Sequence, residues 1–129
     1  KRMNNHTAIL PPDKVYIKGS PGKGMGVFAS VEINEGDLIE ECHIYFLNGN
    51  DRMRNHAYGF PKAPAQAKKL FIAFGFGSIY NHSDNNNVDW ECNSRVIRYF
   101  ATRKIDAHQE CCIKYHQRYW NSSSVKKIV

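Results

Sequence analysis

The sequence predicts a mainly β domain built from short strands, with few and short helices. Three observations carry that expectation. Apolar and polar residues alternate in short runs such as Val15 to Lys18. In Arg95 to Thr102 the same period places Arg95, Ile97, Tyr99 and Ala101 on one face and Val96, Arg98, Phe100 and Thr102 on the other. No stretch reads as a long helix. The 129 residues suffice for one domain that buries roughly two-thirds of its unfolded surface, so neither a disulfide nor a metal is needed for folding.

Residues 1 to 13 are polar and end in Pro11-Pro12, the composition of a flexible arm before the fold. Val15 to Lys18 is the first strand. Glycines at 19, 22, 24 and 26 then lead into the apolar Val27-Phe28-Ala29, a pattern of a glycine-rich hairpin whose backbone can approach a ligand closely. A strand follows these glycines, and no Lys-Ser or Lys-Thr ends them, so neither a dinucleotide-binding turn nor a phosphate-binding loop is indicated. Glu35-Gly36 marks a turn, and Leu38 to Leu47 carries strand formers. Residues 48 to 67 are irregular, with Tyr58 and Phe60 as aromatics in a polar insert.

Leu70 to Phe76 is apolar and opens into Ile79-Tyr80-Asn81-His82-Ser83-Asp84-Asn85-Asn86-Asn87, an abrupt change from glycine-rich backbone to hydrogen-bonding side chains. That junction is either a buried strand entering an Asn-rich turn or the floor of a site. Asn81-His82-Ser83 also fits a glycosylation acceptor, as do Asn5-His6-Thr7 and Asn121-Ser122-Ser123. Val88 to Glu91, Arg95 to Thr102 and Cys111 to Tyr115 complete the strands. The chain closes on the aromatic and basic His116 to Trp120 and a polar tail from 121 to 129.

The totals narrow the function classes. A hydrophobic content of 42% and no apolar run of spanning length exclude a helical membrane protein. No signal peptide is visible, so a nuclear or cytoplasmic location is expected, and glycosylation of Asn81 loses support. Cys42, Cys92, Cys111 and Cys112 show no C-x-x-C spacing, which speaks against zinc. The adjacent pair points to opposite faces of a strand, so reduced thiols are expected. A net charge of +6 keeps a nucleic-acid or phosphate-rich partner open. Within it, Glu32, Glu35, Asp37, Glu40 and Glu41 form an acidic run, ordinarily a solvated face but also able to attract a basic peptide.

Three segments in order together resemble the SET domain of protein lysine methyltransferases. Gly24-Met25-Gly26-Val27-Phe28-Ala29 is similar to the family's G-x-G followed by a strand. Tyr80-Asn81-His82-Ser83-Asp84-Asn85-Asn86-Asn87 resembles Phe-x-Asn-His-Ser-Cys-x-Pro-Asn, with Asp84 for Cys and Asn86 for Pro. His108-Gln109-Glu110-Cys111-Cys112-Ile113-Lys114-Tyr115 resembles Gly-Glu-Glu-Leu-x-x-x-Tyr, with His108 for its glycine and His116 for the glycine after the tyrosine. Neither histidine takes positive φ as freely as glycine. In length and in the Tyr-Trp ending the chain looks most like the minimal SET proteins of chlorella viruses.

The resemblance implies several small sheets with a knot-like C-terminal segment, spanning residues 14 to 120. It also implies transfer of a methyl group from S-adenosylmethionine (SAM) to a lysine ε-amine, with no metal. The backbone of Lys23, Gly24, Met25 and Gly26 would cradle the methionyl part of the cofactor. The Asn81 amide would meet its amino group, the backbone of His82 its adenine edge, and Trp120 would stack on that adenine. Tyr115 would place its hydroxyl beside the transferring methyl, with carbonyls around Ile79 and Tyr80. Tyr58, Phe76, Tyr80 and Ile113 would wall the lysine channel, or, for the three aromatics, pack in the core. Ile113 brings no hydroxyl to restrain the product amine, which favours di- or trimethylation. No Asp or Glu of the motifs is an obvious general base, so an apolar channel near the sulfonium would lower the lysine pKa. A histone tail, H3 as the family-based expectation, is the implied substrate. Without a cysteine-rich segment after Trp120, a homodimer or the tail would complete the channel. The competing expectation is a non-catalytic SET-like module that binds chromatin or nucleic acid through its basic ends.

Overall fold

The computed structural model describes residues 8–47, 58–59 and 70–115. Among the described residues nine strands run in chain order: β1 Val15–Ser20, β2 Gly24–Ala29, β3 Leu38–Leu47, β4 Tyr58–Gly59, β5 Leu70–Ala73, β6 Asn81–His82, β7 Val88–Cys92, β8 Val96–Ala101 and β9 Glu110–Ile113. A single 3-10 turn, Gly77–Ile79, precedes β6 among the described residues. The mainly β expectation is met. The strands expected from Val15, Val27, Leu38, Leu70, Val88, Arg95 and Cys111 each fall on an observed one. Tyr58 contributes backbone pairing to β4. Phe60, His116, Trp120, the arm to Thr7 and the tail lie outside the described residues.

Two sheets form. One has the order β1-β2-β9-β6 and the other β4-β5-β3-β8-β7. Tight turns make β1 and β2 a hairpin in six-residue register, from Val15 opposite Ala29 to Ser20 opposite Gly24. β9 returns from the far end of the chain to lie antiparallel to β2 and parallel to β6, so the last motif is placed between the first two. An isolated bridge between Ile33 and Ile105 ties the loops that feed β3 and β9. Both isoleucines are fully buried, contributing roughly 2 kcal/mol each by removal from water.

The core runs between the sheets and includes Val27, Ile33, Phe71, Val88, Ile97, Tyr99 and Cys111. β8 lies between β3 and β7 and is covered on both sides. Its alternating pattern therefore does not separate a wet face from a dry one. Arg98, on the face opposite Ile97 and Tyr99, is buried between Glu41 and Glu91. The acidic run is also not one solvated face. Glu32 is exposed beside Lys104, whereas Glu40 is buried and Glu41 faces Arg98. Tertiary pairing has overridden the local charge pattern.

All four cysteines are free thiols. Burial pushes the Cys111 thiol up to about 12, helped by the neighbouring Cys112 and Glu110, and that of Cys112 up to about 11. They are neutral strand residues rather than nucleophiles.

Candidate active site

The site begins where β9 runs beside β6. Asn81 pairs with Cys112 and His82 with Ile113, a parallel ladder two residues long. So short a ladder cannot position a side chain alone, and the side chains of the motif supply the rest. Asn87 is buried. Its amide donates to the Glu110 carbonyl at 2.9 Å and its oxygen accepts from the Cys112 amide at 2.8 Å, replacing a missing strand neighbour along β9.

Asn81 sits against the first motif. Its amide nitrogen donates to the Met25 carbonyl at 3.0 Å and to Glu110 Oε2 at 2.9 Å. Both acceptors lack hydrogens, which fixes the amide orientation and leaves Asn81 Oδ1 as what the side chain offers a ligand. Glu110 Oε1 in turn accepts from the Ser20 hydroxyl at 2.9 Å. Here the glycine of the first motif acquires a second reason. A Cβ on Gly26 would overlap Glu110 Oε2 and lie 2.9 Å from the Asn81 amide nitrogen. The space where that Cβ would sit is filled by the protein's own polar groups, a packing requirement in addition to the cofactor contact expected of the Gly26 backbone. Gly24, with φ of 77°, has open space where its Cβ would be, and Met25 is exposed.

The Lys23 ammonium donates to the His82 carbonyl at 3.1 Å. One backbone group of His82, the residue whose backbone is expected to meet an adenine edge, thus already has an intramolecular donor. The His82 ring is buried and satisfied at both nitrogens. Nδ1 accepts from the Tyr115 amide at 2.9 Å, and Nε2 lies 2.8 Å from Asp84 Oδ1.

Tyr115 follows the end of β9 and packs partly buried against the core. Its hydroxyl donates to the Tyr80 carbonyl at 2.8 Å, and its ring lies 5.4 Å from that of His82. The structure therefore brings Tyr115 onto the Tyr80–His82 backbone, within one cluster with Asn81, Met25 and Gly26.

For Tyr80 the sequence leaves channel wall and core packing both open, and its side chain packs in the core. Its ring is fully buried and stacks on Tyr99 at 4.5 Å, and its hydroxyl donates to Glu40 Oε1 at 2.7 Å. What it presents towards Tyr115 is its carbonyl. Ile113 is likewise buried, and Phe76 is partly buried against the core. No side-chain placement is described for Tyr58.

Sequence reasoning missed Glu40, Asp84 and Glu110. Glu40 Oε2 accepts from the Phe76 amide at 3.3 Å while Oε1 holds Tyr80. Burial raises its carboxyl above the ordinary 4.5, against the opposing pull of the Tyr80 hydrogen bond. Burial, then the Glu40 charge, raises the Tyr80 phenol well above 10. The available signal was an acid in the otherwise apolar run Leu38-Ile39-Glu40, which strand alternation disguises. His108, which takes positive φ less freely than the glycine it replaces in the motif, nevertheless adopts the left-handed conformation with φ of 70°. Its amide donates to the Ala29 carbonyl at 2.6 Å and its Nδ1 lies 3.0 Å from the Tyr16 hydroxyl, contacts that offset the strain.

Residues 24–116 match the SET domain family, and the chain belongs to it. A Schizosaccharomyces pombe histone-lysine N-methyltransferase, specific for H3 lysine-37, is 28% identical over 120 residues, covering 87% of this chain and 82% of the relative. A Plasmodium falciparum protein described as a histone methyltransferase has a similar solved structure, with a TM-score of 0.65 at 25% identity. The likeness covers 83% of this chain and 96% of that one. CpSET8 from Cryptosporidium shares the fold at a TM-score of 0.61 and 21% identity, covering 80% of this chain and 57% of that one. Family and relatives together support a lysine methyltransferase acting on protein.

Proposed function

We propose that the chain transfers methyl groups from SAM to a lysine of a histone tail, with Tyr115 as the positioning hydroxyl. The observation that carries this reading is the hydrogen bond from the Tyr115 hydroxyl to the Tyr80 carbonyl, adjoining Asn81 and the open backbone at Gly24 and Met25. The residues present fit the cofactor at one testable point. Both hydrogens of the Asn81 amide are committed to protein acceptors, so the remaining Oδ1 suits an ammonium donor such as the cofactor's amino group. When bound, the cofactor supplies an electrophilic methyl on a sulfonium.

The chain's own residues supply alignment. The Tyr115 hydrogen is spent on the Tyr80 carbonyl, so the phenolic oxygen presents lone pairs to an electropositive methyl, contacts weak singly but directional. Among the described motif residues, the carboxylates that could abstract a proton are engaged. Glu110 holds Ser20 and Asn81, and Asp84 faces His82. A lysine amine deprotonated to water remains the reading. Ile113 contributes no hydroxyl near the product amine, in keeping with di- or trimethylation. The Lys23, Gly24, Met25 and Gly26 backbone, His82 and Trp120 are proposed as the rest of the cofactor site, and Tyr58 and Phe76 as channel residues. A histone H3 tail, a nuclear location and a homodimer that completes the channel belong to the same reading.

Incubation with methyl-labelled SAM and a histone H3 tail, followed by mass spectrometry, tests it. Methylated lysine is expected. No transfer to any histone by folded protein that also fails to bind SAM in calorimetry would overturn it.

A further inference from the structure

Tyr115 has a geometric problem that the fold must solve. Its ladder partner ends at Ile113, paired with His82, so the tyrosine lies two residues past the last regular pair of β9. A side chain meant to hold a hydroxyl at one point needs a fixed backbone beneath it. That backbone is held by an imidazole: the Tyr115 amide donates to His82 Nδ1 at 2.9 Å, just beyond the Ser83 amide's bond to the Ile113 carbonyl at 2.9 Å.

For Nδ1 to accept, it must carry no hydrogen, and the ring proton then resides on Nε2. Nε2 faces Asp84 Oδ1 at 2.8 Å, an acceptor that matches this tautomer. Asp84 is itself presented by a pinned turn. The Asn85 amide donates to the Ser83 hydroxyl at 3.1 Å, and Arg103 clamps the Asn86 carbonyl at 2.7 Å and the Asn85 carbonyl at 3.0 Å. The order is therefore Asp84 carboxylate, His82 imidazole, Tyr115 amide, and finally Tyr115 hydroxyl on the Tyr80 carbonyl.

We propose that Asp84 is a positioning residue for Tyr115, acting through the His82 tautomer to fix the backbone from which the Tyr115 hydroxyl reaches the Tyr80 carbonyl. The inference rests on the methyltransferase reading for its catalytic consequence, but not for its structural one. Asp84 occupies the place of the cysteine in the motif that this segment resembles, and a carboxylate accepts from Nε2–H more strongly than a thiol does.

Two variants and two readouts test it. In Asp84→Ala, nitrogen-15 NMR is expected to show His82 losing its single Nε2–H tautomer, with the Tyr115 amide resonance shifted. Turnover should fall about tenfold or more while KM for SAM stays within about twofold. Asp84→Asn keeps an oxygen for Nε2–H and is expected to restore the tautomer, the Tyr115 resonance and most of the turnover. Unchanged His82 and Tyr115 resonances in Asp84→Ala would overturn the proposal, as would an Asp84→Asn protein as impaired as Asp84→Ala. The NMR readout decides the matter even in a protein that transfers no methyl group, whereas absent transfer by the unaltered protein would count against the proposed function alone.

Discussion

The five-stranded sheet is joined by backbone ladders, with β3 paired to β5 from Ile44 to Leu47 and β7 paired to β8 from Val88 to Cys92. Where β9 enters the four-stranded sheet the ladders shrink to two pairs on each side, Val27 and Phe28 against Cys111 and Glu110, then Asn81 and His82 against Cys112 and Ile113. Side chains make up the difference. Asn87 caps β9 backbone groups, Asn81 ties β2 to Glu110, and His82 holds the Tyr115 amide. The five-stranded sheet and the β1–β2 hairpin are thus held mainly by what every residue has, and the β9 seam by particular residues. Asn81, His82 and Asn87 have structural duties that any ligand-binding role must share.

This contrast is sharpest at Asn87. Asn87→Ala removes the partners of two backbone groups on β9 and is expected to cost about 3 kcal/mol in urea unfolding, the sum of two unsatisfied groups. A cost below about 1 kcal/mol would show that water or backbone substitutes for the amide and would erase the difference between the sheets.

Glu40 offers a second test, because it reaches from β3 to the loop before β6 and so joins the two regions. Its carboxyl is raised by burial, so the folded protein keeps the proton after the unfolded chain has lost it at 4.5. The contribution is complete below that pH and is lost as pH rises towards the folded value. Glu40→Gln cannot ionise and still offers an oxygen to Tyr80. Relative to the unaltered protein it is expected to gain stability as pH rises above 4.5, by at most about 1.4 kcal/mol per pH unit. Parallel urea midpoints for the two proteins between pH 5 and 7 would place the Glu40 transition elsewhere.

The smallest effect is expected at His108, in the turn that feeds β9. His108→Gly relieves a positive φ but gives up the Tyr16 contact, for a net gain of about 1 kcal/mol or less in thermal or urea unfolding. A loss would mean that the Tyr16 hydrogen bond outweighs the strain.

The same contrast explains what could be read in the sequence. Strands of the ladder-built sheet announce themselves, Arg95 to Thr102 by a period of two and Leu38 to Leu47 by β-branched and aromatic residues, because these are local properties. Tyr115, Asn81 and the Gly24-Met25-Gly26 run were legible as an ordered set of motifs. β6 was not, since two residues show no period, and its partner β9 is parallel and distant in the chain. Glu40 and Asp84 were passed over for a related reason. An acid in a run reads as solvated until the fold shows Tyr80 above it, and Asp84 reads as a turn residue until His82 folds against it. The packing of Gly26 against Asn81 and Glu110 was hidden as well, because both are separated from it by most of the domain.

The central claim is that the Tyr115 hydroxyl, seated on the Tyr80 carbonyl, aligns methyl transfer. The most direct measurement compares single-turnover methyl transfer from labelled SAM by the unaltered protein and by Tyr115→Phe, with SAM affinity measured alongside. The account predicts a fall in rate on the order of a hundredfold with affinity nearly unchanged, as for loss of one preorganised group at a reacting centre. An undiminished rate in Tyr115→Phe would contradict it.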